Sequence, residues 1–214
     1  MIDVNSDKNL SQIDKKPDFI KNKFPKLDTW DAKNSKLIYH KFSGSKVRKW
    51  AKLISFAGDP RLWGPTFVIL SIWGIINEWN FSLLTIFLSG FFQSFAIYFI
   101  IKNFIKRPRP FVQYDDIIRL DKTGHGFSFP SGHCHHSTIL MGLIGIVFFP
   151  FPWFIPILVA YNVAIGYSRM ILGCHFPSDT IFGTIEAYLE LGFFWFLTKD
   201  LYINLYEWLM NVFF

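Results

Sequence analysis

The stretch FSLLTIFLSGFFQSFAIYFII, residues 81–101, holds no charged side chain and ends against Lys102. A helix of that length rises roughly 30 Å, the thickness of the hydrocarbon core of a bilayer. Four more apolar runs flank it: Leu62 to Trp79 before it, then about Ser137 to Phe149, about Phe151 to Tyr167, and Thr180 to Leu197 after it. The third and fourth runs in chain order are short, with Pro150, Pro152 and Pro156 at their boundary, so they read as two crossings or as one tilted hairpin with a proline-marked turn. Lipid offers backbone polar groups no partner, so such runs must satisfy themselves as helices. The expected fold class is therefore all-α, a transmembrane helix bundle of about five spans.

Composition agrees. Of 214 residues, 51% are hydrophobic and 20% aromatic, more than a soluble core of this size needs. The charge is segregated: fourteen of the 22 Lys and Arg residues fall between Lys8 and Arg61. Residues from Met1 to about Asp28 read as a mobile polar tail. From about Thr29 to Ala57, Trp30, Leu37, Ile38, Phe42, Val47, Trp50, Leu53, Ile54 and Phe56 alternate with basic residues. That pattern suits amphipathic helices in the membrane interface or a surface helix packed on the bundle. The opening residues lack the basic-then-apolar pattern of a secretory signal. The net charge of +6 comes without any zinc, RNA-binding or helix-turn-helix pattern, so the expected partner is anionic lipid in a membrane and not nucleic acid.

With five spans, the end of the second, the start of the third, the end of the fourth and the start of the fifth share one face. Those four places carry the unusual residues: Lys102, Lys106, Arg107 and Arg109; Pro130-Ser131-Gly132-His133; Ser168-Arg169; and His175 with Asp179. Charge at a span centre costs roughly 2.5–3.5 kcal/mol on insertion scales, which places these groups at interfacial depth. Lys102, Arg109 and Arg169 supply cations for a phosphoryl group, and Gly132 lets a backbone N–H approach an anion where the third span begins. Lys106 and Arg107 read instead as side chains snorkelling to the interface. His175 and Asp179 stand four apart, hence on one helical face, so the carboxylate can fix the imidazole tautomer and leave the other nitrogen free to attack phosphorus. His133, from a different segment, is placed as a general acid for the leaving oxygen.

At these residues the sequence resembles the type 2 phosphatidic acid phosphatase superfamily, the lipid phosphate phosphatases. The family pattern is Lys, six residues, Arg-Pro; then Pro-Ser-Gly-His; then Ser-Arg, five residues, His, three residues, Asp. Lys102 to Pro110, Pro130 to His133 and Ser168 to Asp179 match each fixed position. The resemblance implies His175 as a nucleophile forming a phosphohistidine, Asp179 as its orienting group, and His133 as the acid that later activates water. It also implies phosphate binding by Lys102, Arg109, Ser131, Gly132 and Arg169. Within the family the chain looks most like the short presqualene and polyisoprenoid diphosphate phosphatases, on Ile54-Ser-Phe-Ala-Gly-Asp, the compact loop from Phe111 to Phe129, and Tyr167-Ser-Arg-Met-Ile-Leu-Gly. A missing extra span before Leu62 is the departure from common members.

The expected organisation is residues 1–57 as tail and amphipathic helices, 58–198 as the transmembrane phosphatase domain, and 199–214 as an interfacial C-terminal segment. Cys134 and Cys174 adjoin His133 and His175, but the spacing fits no usual zinc pattern and ligation would consume the nucleophile's lone pair, so neither metal nor other cofactor is expected. Glu186 and Glu190 share the inward side of the fifth run with Asp179, and Gln93 or Asn162 are the expected hydrogen-bond partners. Basic residues gather on the active face, while the connections Asn77 to Phe81 and Phe149 to Trp153 carry none. The positive-inside rule thus puts the site at the cytoplasmic face of an endoplasmic reticulum or other endomembrane protein. Two rivals, an anion-binding transporter and a vanadium-dependent haloperoxidase, explain less: binding needs no nucleophile, and the resembling haloperoxidases are soluble.

Overall fold

A computed structural model describes residues 19–76, 81–121, 126–148 and 154–213. The first eighteen residues of the expected tail, Lys122 and most of the two connections opposite the site lie outside the described residues. The elements are α1 (Phe19–Lys23), α2 (Pro25–Lys41), α3 (Ser45–Ala57), α4 (Pro60–Ile76), α5 (Phe81–Ile105), α6 (Pro110–Gln113), α7 (Gly132–Phe148), α8 (Phe154–Ile171), α9 (Pro177–Phe193) and α10 (Lys199–Phe213), with a π-helical turn at Phe194–Thr198 joining α9 to α10. Among the described residues there is no strand.

Among the described residues, three stretches are long and apolar enough to cross a membrane: Leu83–Gln113, Phe154–Ile171 and Pro177–Phe213. The apolar helices α4 and α7 have 17 residues each and complete the bundle. Three of the helices start or stop at a residue whose backbone sets the limit. Pro60 and Pro177 stand at first-turn positions, where a missing N–H costs nothing. Helix α5 ends where Lys106 takes φ 50°, in the left-handed region.

Phe67, Phe87, Ile139, Leu140, Leu143, Ala187, Leu191 and Phe194 form the interior seam of α4, α5, α7, α9 and the π-helical turn. The outward faces are equally apolar, with Ile69, Ile72, Ile76, Phe92, Phe99 and Phe104 all exposed. In lipid such faces need no polar cover, and close packing, not water exclusion, holds the helices together. At Gly183 of α9 a Cβ would stand 2.9 Å from the Ser131 carbonyl oxygen, so glycine is what lets α9 approach the backbone that leads into α7.

The N-terminal helices pack against the bundle along one side. Ala51 and Ser55 of α3 are buried against α8, and Asp31, Ser35 and Tyr39 of α2 are buried against α8 and α9. Trp50, Leu53 and Phe56 remain exposed on the other side. Among the described residues the chain is already helical at Phe19, Pro25 opens α2, and the i, i+3 pair Asp28 and Asp31 turns inward to a buried cation.

Candidate active site

Four chain segments meet at one end of the bundle. Lys102, in the last turn of α5, donates from Nζ to the Pro130 carbonyl at 3.2 Å. Past Lys106 the chain turns into Arg107-Pro-Arg109, and Arg109 is held by three carbonyls: Gly126 (3.0 Å), Phe127 (3.2 Å) and Cys174 (2.9 Å). The Ser131 N–H donates to the Asp179 carbonyl at 3.0 Å, locking the approach to α7 onto the first turn of α9. At the end of α8, Gly173 takes φ +70°, and the Cys174 N–H bonds back to the Arg169 carbonyl at 3.0 Å. That reversal delivers His175 inward. A side chain at 173 would be strained in φ and would meet Ile117 and the Ile118 carbonyl.

His175 is buried between a cation and a carboxylate. Arg109 Nη1 lies 3.0 Å from His175 Nε2, and Asp179 Oδ2 lies 3.5 Å from Nδ1. A guanidinium only donates, so Nε2 must carry the lone pair and the ring proton sits on Nδ1, facing Asp179. Burial, followed by the charges of Arg109, Arg169 and Lys102 and by His133, pushes the His175 pKa well below the ordinary histidine value. Asp179 is fixed at both oxygens: Oδ2 accepts from the Phe176 N–H at 2.9 Å and Oδ1 from Arg107 Nη1 at 3.0 Å.

Lys102, Arg109, Ser131, Gly132, His133, Arg169, His175 and Asp179 are therefore gathered in one place. Gly132 sits beneath Tyr98, whose hydroxyl oxygen would lie 2.6 Å from an added Cβ. His133 has Nε2 3.7 Å from Asp59 Oδ2. Burial opposes ionisation of Asp59, but His133 and Arg61 outweigh it and hold its carboxyl below the usual range. Arg169 is clasped from α3 and from the loop before α7: its Nη1 donates to Ser55 Oγ at 2.6 Å and to Asp121 at 2.5 Å.

Arg107 departs from the expectation. It does not snorkel to the interface but is fully buried, its guanidinium 3.8 Å from the Phe176 ring centroid. It pairs with Asp31 (2.8 Å), Asp179 (3.0 Å) and, more loosely, Asp28 (3.4 Å). Burial raises the Asp31 pKa, with Arg107 and Ser178 pulling against it. Asp31, Ser55, Asp59 and Asp121 were all missed as neighbours of the site. Ser55 and Asp59 lie within the Ile54-to-Asp59 leader that the family resemblance used, whereas nothing local in the sequence marks Asp31.

The partners expected for the intramembrane acids are corrected too. Gln93 accepts from Thr198 and Tyr202, and Asn162 bonds Thr138 and Tyr188. Glu190 instead meets His135, Oε2 to Nε2 at 3.1 Å. Among the described residues, His135, Glu186 and Glu190 bring donor atoms suited to a metal within 4.8 Å of one another. Beside them an apolar groove of about 360 Å³ runs between α5 and α9, lined by Ile97, Ile101, Ile105, Phe129, Phe182 and Ile185. Its upper residues immediately precede Lys102 and the Pro130-to-His133 segment.

Apolar helices of spanning length thus carry a cationic, histidine-bearing mouth at one end of the bundle, the architecture of a membrane protein that meets a phosphoryl group. The family model of the PAP2 superfamily matches residues 79–202, more than half of the chain. The protein belongs to that superfamily and is a phosphoric ester hydrolase of the membrane. Two crystal structures share its fold. Aquifex aeolicus LpxE superposes with a TM-score of 0.59 at 20% identity, covering 74% of this chain and 90% of that one. The first transmembrane PAP2 type phosphatidylglycerolphosphate phosphatase from Bacillus subtilis superposes at 0.62 and 20% identity, covering 89% and 94%. At such identity the likeness is one of fold. No curated protein sequence matches the chain at a significant level.

Proposed function

We propose that this protein hydrolyses a lipid phosphate or diphosphate, with an isoprenoid diphosphate favoured, through a phosphohistidine at His175 and with no metal in the chemical step. The supporting observation is the imidazole's orientation, with Nδ1 facing Asp179 and Nε2 facing Arg109. The Nε2 lone pair forms the N–P bond as the bond from phosphorus to the leaving oxygen breaks, and His133 gives that oxygen a proton. Water then attacks phosphorus and loses its proton to His133, the N–P bond breaks, and inorganic phosphate departs. Lys102, Arg109, Arg169, Ser131 and the Gly132 N–H hold the phosphoryl oxygens, with charge-assisted hydrogen bonds contributing roughly 1.5–3 kcal/mol each.

The lipid half of the substrate is supported by the α5–α9 groove, which admits an apolar tail sideways from the bilayer and ends beside Lys102. The Bacillus neighbour, named as a phosphatidylglycerolphosphate phosphatase, acts on a phosphorylated lipid. The isoprenoid preference rests on the sequence resemblance. Purified wild-type protein assayed in detergent on farnesyl diphosphate, phosphatidate and sphingosine phosphate tests it: kcat/KM highest on the diphosphate is expected, and highest on phosphatidate would remove the preference while sparing the lipid phosphatase. The basic N-terminal helices favour a site at the cytoplasmic face, which protease accessibility of the N-terminus in sealed, oriented vesicles would check.

The protonation state supplies a pH test. Nucleophilic attack requires neutral His175, and its lowered pKa keeps it neutral as the pH falls through the ordinary histidine range. The acid limb of kcat/KM against pH is therefore expected below about 6.5, the unperturbed histidine pKa. An acid limb at or above that value would show a nucleophile less buried and less surrounded by cations than this one.

A further inference from the structure

We infer that Asp31, on the N-terminal helix α2 and outside the residues matched by the family model, is a positioning residue for catalysis that acts through Arg107 on Asp179. The inference rests on the reading of His175 as nucleophile.

Asp31 is fully buried, although it lies in a segment whose sequence is that of a polar head. Its Oδ1 accepts from the Ser178 N–H at 2.9 Å and its Oδ2 from the Ser178 hydroxyl. That N–H is one of the unpaired donors of the first turn of α9, so Asp31 stabilises the helix end that carries Asp179. The same Oδ2 lies 2.8 Å from Arg107 Nη1, which also reaches Asp179 Oδ1 at 3.0 Å. One guanidinium nitrogen is thus shared between two carboxylates, and the second carboxylate faces the nucleophile.

The sharing has a chemical consequence. A buried arginine paired with Asp179 alone would draw that carboxylate fully to itself and weaken its hold on the His175 proton. Asp31 divides the guanidinium's demand, and the Phe176 N–H fixes the other oxygen of Asp179 at 2.9 Å, so Oδ2 keeps acceptor capacity for Nδ1–H. The charges and polar groups facing Asp31 are Arg107, Ser178, Asp179 and, through Arg107, Asp28. Those facing His175 are Arg109, Arg169, Lys102, His133 and Asp179. Asp31 touches neither His175 nor any group placed on the phosphate, so its influence must pass through Arg107 and the start of α9.

The test uses full-length protein in detergent, with phosphate release from farnesyl diphosphate and phosphatidate as the readout. Asp31→Asn keeps the shape and removes the charge. We expect kcat to fall roughly 10- to 100-fold, the range seen when partners that orient a histidine ligand are lost, with KM little changed. In the Asp179→Asn background the same substitution should cost almost nothing further, because the route it acts through is already cut. If Asp31→Asn does not fold, Asp31→Glu, which keeps the charge but displaces it, is read by the same cycle. Wild-type kcat in the folded variant, or a loss that multiplies in full with that of Asp179→Asn, would overturn the inference. His175→Ala separates the two levels: if it retains wild-type turnover the nucleophile reading itself fails, whereas an inactive His175→Ala beside an unaffected Asp31→Asn removes only the role of Asp31.

Discussion

His175→Ala is expected to release phosphate at least about 10⁴-fold more slowly than wild type, as loss of a nucleophile does in enzymes that form covalent intermediates. The expectation follows from what remains when the ring is gone. Arg109, Arg169 and Lys102 still gather around the same place, and Arg109 keeps its three carbonyl anchors, so an anionic headgroup still binds. Uniform binding without a group that attacks phosphorus lowers no barrier. The prediction is checked by phosphate release under saturating micellar substrate, with unfolding temperature and substrate binding measured alongside. Unimpaired binding with lost turnover is the enzyme's signature. Unimpaired turnover would be that of a different nucleophile.

Arg107→Ala should be the most damaging substitution for stability. It leaves Asp31 and Asp179 buried without their shared cation, and removing one partner of a buried ion pair costs roughly 3–5 kcal/mol. It also removes the guanidinium lying on the Phe176 ring. Thermal unfolding in detergent should therefore show a large drop, and any folded fraction should turn over slowly because Asp179 has lost the partner at Oδ1. The adjacent Lys106 is exposed, and Lys106→Ala should stay within about 0.5 kcal/mol of wild type. Equal effects at the two positions would mean that Arg107 is an interfacial side chain after all.

That contrast shows where the sequence is a good guide and where it is not. The spans were legible because lipid imposes a length and excludes charge, as residues 81–101 illustrate. The convergence of Lys102, Arg109, His133, Arg169, His175 and Asp179 was legible because each sits at a span end and the two crossings between the second and fifth spans return the chain to the same face. Span limits were less so. Hydropathy starts the third and fifth runs near Ser137 and Thr180, but the helices begin at Gly132 and Pro177, because polar residues occupy first turns whose limits are local features. Pairings across long stretches of chain left no trace in any periodicity. Asp31 reaches Ser178, and Asp121 reaches Arg169, through tertiary packing alone.

His135 makes the same point within a single helix. Its neighbour His133 faces Asp59 and the site, but two positions along a helix turn the side chain to nearly the opposite side, toward Glu190. A cluster of histidines in the sequence thus separates into one residue at the mouth and another in the bundle interior. The acid expected to find an amide on α5 or α8 found the histidine on α7.

The most direct measurement is to expose purified protein for milliseconds to substrate labelled in its terminal phosphate, quench in alkali where an N–P bond survives, and map the label. Label on the peptide carrying His175 in wild type, and none in His175→Ala, is the predicted result. Turnover with no protein-bound phosphate, or label on His133 instead, would contradict the central claim that the imidazole at 175 attacks phosphorus.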